Sequence, residues 1–222
     1  MIERLVEIRK NDIYENVYRK VSKEGKPNGI IVFGANGSGK TTLGRELARL
    51  LHFKHIDHED YAFEKSEIPY AKLRSNEECI KLMLAEIEKH RLFVLSAVTG
   101  DFGDEISQYY ELAVHLSASI ELRIERIKQR AYDKFGSCVH EGGDMYEQQI
   151  KFQNFVALRP LSRIEKWAET LLCPVINIDG TEDYCENAAN IAAYYNTRFI
   201  SIGLPSFPDD ADVVRRESMC SR

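Results

Sequence analysis

The sequence predicts an α/β fold in three layers, a five-stranded parallel sheet between two layers of helices. Three observations predict it. Residues 34–41 read GANGSGKT, apolar runs alternate with helical patterns from Gly29 onward, and polar, chemistry-bearing residues follow several of those runs. At 222 residues the chain is long enough for one such domain with appendages and too short for two well-built ones.

The elements follow in chain order. Residues 1–26 set Leu5, Ile8, Ile13, Val17 and Val21 among charged neighbours, the pattern of an extra amphipathic N-terminal helix. Its apolar stripe can pack on the domain edge or on a second copy of the chain, giving a homodimer. The domain proper is expected over 27–200. Its first strand is the apolar run 30–33, and the helix after the glycine-rich loop spans 42–51, with Leu43, Leu47, Leu50 and Leu51 on one face. Further strands are expected at 52–56, 92–97, 112–116 and 175–178. Helical patterns separate them, so the sheet is parallel and covered on both faces, and ligands belong at the carboxyl ends of its strands. Residues 131–159 are polar, glycine-bearing and aromatic, with no sheet strand. They read as a lid, a mobile excursion followed by a helix. Residues 201–222, with Pro205, Pro208, Asp209 and Asp210, read as a flexible tail.

The motif G-x-x-x-x-G-K-[ST] in 34–41 has a mechanism at each position. Gly34, Ala35, Asn36, Gly37, Ser38 and Gly39 can wrap backbone N–H groups around a phosphate, and Lys40 reaches the β- and γ-phosphates. The Thr41 hydroxyl suits Mg²⁺, and Thr42 opens a helix whose N-terminus favours anions. A glycine-rich connector with a coincidental lysine is the plain alternative. The strand before and the helix after the loop argue against it.

After the second strand run comes His55-Ile56-Asp57-His58-Glu59-Asp60. Asp57 is expected near the metal and Asp60 toward a second substrate, where a carboxylate can take a hydroxyl proton. A solvated acidic loop capping the next helix is the competing reading, and the two histidines match no metal-site spacing. Following the third run, Asp101 is a second candidate base or metal partner. Alternatively Asp101 or Asp104 starts the helix that continues through Glu105 and Ile106. Arg123, Arg126 and Arg130 share a helical face and can stabilise charge on a transferring phosphoryl group. Arg130 stands at the mouth of the lid. Glu121, Glu125 and Lys128 on the same helix show the alternative, residues carried for solubility.

Charges balance to a net −5, which argues against a general nucleic-acid surface. Five widely spaced cysteines with no C-x-x-C pair fit free thiols in a reducing compartment. No signal-peptide core and no membrane-length apolar run is present, so a cytoplasmic location is expected.

Taken together, the phosphate loop, the acidic loop, the arginine-bearing helix before a lid and the late Ile178-Asp179-Gly180 resemble the adenylate kinase and shikimate kinase type of P-loop small-molecule kinase. The resemblance covers about residues 29–195. More narrowly, HIDHEDYAF, FVLSAVTGDFGDE, HEGGDMYEQQIKF and CPVINIDGT resemble a bacterial branch labelled AAA-family ATPase or adenylate-kinase-like protein. The resemblance implies a P-loop NTPase fold like that of nucleoside monophosphate kinases. It also implies ATP and Mg²⁺ on Lys40 and Thr41, Asp57 and Asp60 facing an acceptor, and Arg126 and Arg130 serving the lid. Ser96-Ala97-Val98-Thr99-Gly100 stands where those kinases carry Asp-Gly-aromatic-Pro-Arg, which argues against a nucleoside monophosphate acceptor. The expected activity is phosphoryl transfer from ATP to a small molecule. A regulatory or assembly ATPase without such an acceptor is the alternative, and phosphorylation of nucleic-acid ends is weaker on charge grounds.

Overall fold

The structure is a computed structural model and describes residues 25–64 and 72–200. The expected N-terminal helix, the homodimer contact assigned to it and the tail 201–222 lie outside the described residues. Within them the chain runs β1 (Asn28–Phe33), α1 (Lys40–Leu51), β2 (Lys54–Asp57), α2 (His58–Ala62) and α3 (Asn76–His90). Then come β3 (Leu92–Ala97), α4 (Asp104–Ser107), β4 (Tyr110–Ser117) and α5 (Ile120–Phe135). Last are α6 (Tyr146–Leu158), α7 (Ser162–Ala168), β5 (Val175–Asp179) and α8 (Tyr184–Tyr195).

The five strands form one parallel sheet in the order β2-β3-β1-β4-β5, as the alternation of apolar runs and helices predicts. β1 sits at its centre, pairing Ile31 with Leu95 on one side and with Ala113 on the other. Alternate β1 residues therefore serve opposite faces. Ile30 and Val32 meet Leu43, Leu47 and Leu51 of α1 and Ala188 and Ile191 of α8. Ile31 and Phe33 meet Met83 and Ile87 of α3, Ile106 of α4 and Ile164 of α7. Each such side chain, removed from water, contributes about 1.5–3 kcal/mol. The centre of the sheet is thus the most firmly held part of the fold, and the phosphate loop hangs directly from it.

Local chemistry sets where the helices begin. Ser75 accepts from the Glu78 N–H, Ser119 from Leu122 and Asp183 from Cys185 and Glu186, each a side-chain cap on α3, α5 and α8. α1 differs, because its cap is Gly39 and no side chain fills that end.

Several bounds differ from the sequence expectation. β2 starts at Lys54, not at 52, because His52 takes φ 56° to close α1, its N–H reaching back to Ala48 and Arg49. α1 itself begins at Lys40, β4 extends to Tyr110 and Ser117, and β5 ends at Asp179. α5 continues to Phe135, since Ile127 and Ala131 keep one face buried, and Gly136 at φ 60° ends it. The excursion expected from 131 therefore starts at 136, passes a 3₁₀ turn over Gly136–Val139, and ends in α6. α4 starts at Asp104, one of the two starts expected for it, with Gly103 at the cap position.

Candidate active site

The phosphate loop leaves β1 at the carboxyl edge of the sheet and turns through Gly34, Gly37 and Gly39, with φ of 149°, 83° and 102°. Gly37 lies against the backbone of α5, where a Cβ would meet the Arg123 carbonyl at 2.5 Å. The loop folds on itself, with Ser38 N–H donating to Ala35 O at 3.2 Å and Lys40 Nζ donating to the same carbonyl at 2.9 Å. Burial pulls the Lys40 ammonium down to about 8, against the opposing fields of Glu59 and then Asp57, with Arg130 and Arg123 lowering it further. An ammonium so placed gains from any anion brought to it.

Two features of the loop are ones that a polyphosphate and a divalent cation could use. The Ser38 hydroxyl is 1 % exposed and has no partner, next to the uncapped N-terminus of α1. A phosphate oxygen supplies what both lack. Thr41 Oγ1 also donates to Asp57 Oδ2 at 2.7 Å, which brings a hydroxyl and a carboxylate together from different elements. Such a pair is the oxygen set Mg²⁺ takes alongside phosphate and water.

Asp57 caps the next helix, as one of its sequence readings expects, and also meets the phosphate loop. Its second oxygen accepts the Glu59 N–H at 3.1 Å and caps α2, while the first holds Thr41. Asp60 is exposed, and its charge acts on His55 and Tyr61. Glu59, in the same acidic run, is the carboxylate whose field on Lys40 is largest. His55 Nε2 lies 3.0 Å from Ser96 Oγ, which donates to the Lys40 carbonyl at 3.2 Å, so β2 and β3 brace the first turn of α1. Burial lowers the pKa of both His55 and His58. Thr42 is exposed at the start of α1, and Asp101 is exposed in the loop after β3.

The three arginines of α5 have separate surroundings. Arg126 Nη1 donates to Ser38 O at 3.0 Å and its Nη2 to Gly180 O at 2.7 Å, joining the phosphate loop to the end of β5. Arg123 is 5 % exposed; one guanidinium arm reaches Asn36 O at 3.4 Å and its Nε has no partner. Arg130 is exposed, close enough for its charge to act on Lys40.

A fourth arginine stands at the end of α6. Arg159 Nη1 donates to Asn36 Oδ1 at 3.3 Å, and its guanidinium lies 5.4 Å from the centre of the Phe155 ring. Burial, and then the neighbouring charge of Arg163, push its pKa down. Around it Val156, Leu161 and Ile164 close on Ala35, Asn36 and Val98, leaving a crevice of about 10 Å³, room for a single water. The end of α6 and the start of α7 thus rest on the phosphate loop.

Arg159 and Glu59 escape sequence reasoning for different reasons. Nothing near Arg159 in the chain announces a partner 123 positions away. Glu59 lies within the acidic run, and the two-residue step from Asp57 was its signal.

Comparison with known proteins places these features in a family. The family described as "AAA domain" matches residues 30–151, from β1 into α6. "Uncharacterized protein YqaC" of Bacillus subtilis (strain 168) is 30 % identical over 164 residues, spanning 70 % of this chain and 89 % of that protein. Among solved structures, a gluconokinase from Sinorhizobium meliloti 1021 is similar at a TM-score of 0.48 and 14 % identity, over 80 % of this chain and 98 % of its own. A shikimate kinase from Acinetobacter baumannii in complex with shikimate gives 0.44 and 20 %, over 85 % and 99 %. Neither likeness is close enough to assign an activity.

Proposed function

We propose, from the premise that the chain belongs to the AAA-domain family, that it is an ATP-dependent phosphotransferase acting on a small acceptor. The observation that carries this reading is the Thr41–Asp57 pair at 2.7 Å beside the unpartnered Ser38 hydroxyl and the depressed Lys40 ammonium. Together they form a site that gains from a nucleotide triphosphate and its cation.

In this reading the backbone N–H groups of residues 35–41 and the Ser38 hydroxyl hold the β- and γ-phosphates, and Lys40 leaves Ala35 O for them. Mg²⁺, held through Thr41 and Asp57, would neutralise charge on the phosphates. Arg126 keeps Ser38 in place through its carbonyl, so that the loop is already shaped when the nucleotide arrives. Arg123, Arg130 and Arg159 converge on the loop from α5 and from the lid foot, where guanidinium groups can stabilise charge that spreads in the transition state. The acceptor oxygen bonds to the γ-phosphorus as the bond to the β–γ bridging oxygen breaks. The hydroxyl proton goes to a carboxylate of the set Asp57, Glu59, Asp60 and Asp101. Residues 136–159 act as the lid that excludes water, which would otherwise take the phosphoryl group.

The test is ADP release by the full chain with ATP and Mg²⁺ across a panel of small hydroxyl compounds. The reading expects at least one acceptor to raise the rate tenfold over hydrolysis, and Lys40→Ala to remove that rise. Slow hydrolysis that no acceptor stimulates would favour a regulatory ATPase instead.

A further inference from the structure

A cleft of about 440 Å³ opens between the loop after β3 and helix α7, lined by Thr99 and Asp101 on one wall and by Ser162, Arg163 and Lys166 on the other. We propose that this cleft is the acceptor subsite and that it selects a small hydroxylated anion, Arg163 and Lys166 holding the carboxylate or phosphate and Asp101 holding the hydroxyl. The proposal rests on the phosphotransferase reading for its chemistry, but its binding site stands on geometry alone.

The cleft continues directly from the phosphate loop. Val98 lines the crevice beside Ala35 and Asn36, and Gly34 N–H donates to its carbonyl at 3.3 Å; the next residue, Thr99, lines the cleft. On the other wall Leu161 faces the crevice and Ser162 the cleft. Between them Trp167 stands edge-on to Phe33, the last residue of β1, with ring centres 4.9 Å apart. In this proposal the inner end of a bound molecule lies toward the phosphate loop, past Val98 and Trp167.

Charge decides what that molecule is. Among the described residues no carboxylate pairs with Arg163 or Lys166, and both side chains line one wall of the cleft. The charge of Arg163 also acts on Arg159, so two guanidinium groups and the Lys166 ammonium gather on this side, and Asp101 is the one carboxylate that lines the cleft. Cations gathered in excess of the nearby acid are stabilised by an anion. A neutral polyol would leave them uncompensated. Asp101 likewise has no ion-pair or hydrogen-bond partner among the described residues, and it is the acceptor for a hydroxyl at the inner end. In the transfer step that hydroxyl oxygen bonds to the γ-phosphorus, the bond to the bridging oxygen breaks, and the proton passes to Asp101. The cations come from the helix after the lid and not from the residues following β3, where nucleoside monophosphate kinases carry theirs.

Trp167 makes the cleft directly observable, since the chain has one tryptophan. The full chain is titrated with glycerol 3-phosphate, glycerate and glycerol, following Trp167 fluorescence with and without an ATP analogue and Mg²⁺, and ADP release is measured with the same three compounds and ATP. A saturable response to one or both anions, at least tenfold weaker for glycerol and weakened tenfold or more in Arg163→Gln and Lys166→Gln, is the expected result. The stronger of the two anions tells carboxylate from phosphate. Both variants alter exposed side chains, and a circular dichroism melt checks that the fold is kept. An anion response without ADP release leaves the subsite standing and removes the phosphotransferase reading. Turnover of glycerol with no change at Trp167, or no saturable response to either anion up to 50 mM, overturns the subsite.

Discussion

Replacing Arg126 with alanine removes a single side chain that ties two distant segments together. Its guanidinium donates at 3.0 Å to Ser38 O in the phosphate loop and at 2.7 Å to Gly180 O after β5, and the residue is half-buried. A hydrogen bond with a charged partner contributes about 1.5–3 kcal/mol, and water admitted to the site returns part of that, so the two together should contribute about 2–4 kcal/mol. For a chain of this size each kcal/mol moves the midpoint by about 2–4 °C, which gives a fall of about 4–16 °C. Arg126→Lys should fall between the parent and the alanine variant, because an ammonium does not reproduce the planar fork that spans two carbonyls. Arg130→Ala, at an exposed position of the same helix, should shift the midpoint by less than about 2 °C. The assay is a thermal melt of each variant with and without ADP and Mg²⁺. The Arg126→Ala protein should also bind nucleotide about tenfold more weakly, since its loop is no longer held in shape. A melt within 2 °C of the parent with unchanged affinity would refute the view that Arg126 shapes the loop.

The remaining predictions concern the loop and its neighbours. Because the Lys40 pKa falls from 10.5 in the free side chain to about 8 in the fold, the unfolded chain binds the extra proton between those values, and stability should rise with pH across that window. Bound phosphate restores the ammonium, so ATP affinity should fall about tenfold between pH 8 and 9.5, with proton uptake visible by calorimetry in two buffers; a flat profile would contradict the desolvated lysine. Asp57→Asn keeps the shape of the side chain but removes its charge, and should raise the Mg²⁺ concentration needed for half-maximal ADP release about tenfold or more, while parental Mg²⁺ dependence would leave Asp57 as a helix cap only. Gly37→Ala puts a Cβ at 2.5 Å from the Arg123 carbonyl at a φ of 83°, and should lower stability by about 1–3 kcal/mol in a denaturant titration.

How much of this was legible in the sequence depended on chain separation. The loop and α1 are local: three glycines, a lysine and a leucine face within 18 residues of one another determine them without reference to the rest. The parallel sheet was legible because helices separate its strands. Bounds failed where backbone geometry overrode apolar pattern. His52 looks like the start of a strand but closes α1 in a left-handed turn. Residues 131–135 look like lid but carry on the buried stripe of α5, which ends at Gly136.

The site divides along the same line. Asp57 ends a strand on the same edge as the loop, so its meeting with Thr41 could be expected from topology. That Arg126 would divide its two arms between residues 38 and 180, or that Arg159 would come to rest on Asn36, depends on packing angles that no local pattern encodes. The cleft at Arg163 and Lys166 was hidden for a further reason. Both look like ordinary charges on a surface helix until the fold sets them across a cleft from Thr99 and Asp101.

The central claim is that residues 34–41 bind a nucleotide triphosphate with its cation. The most direct test is a calorimetric titration of the full chain with a non-hydrolysable ATP analogue, with and without Mg²⁺, set beside Lys40→Ala. The account predicts saturable one-to-one binding that Mg²⁺ strengthens and that Lys40→Ala weakens tenfold or more. Binding within twofold of the parent in Lys40→Ala, or no binding by the parent at millimolar analogue, would contradict it.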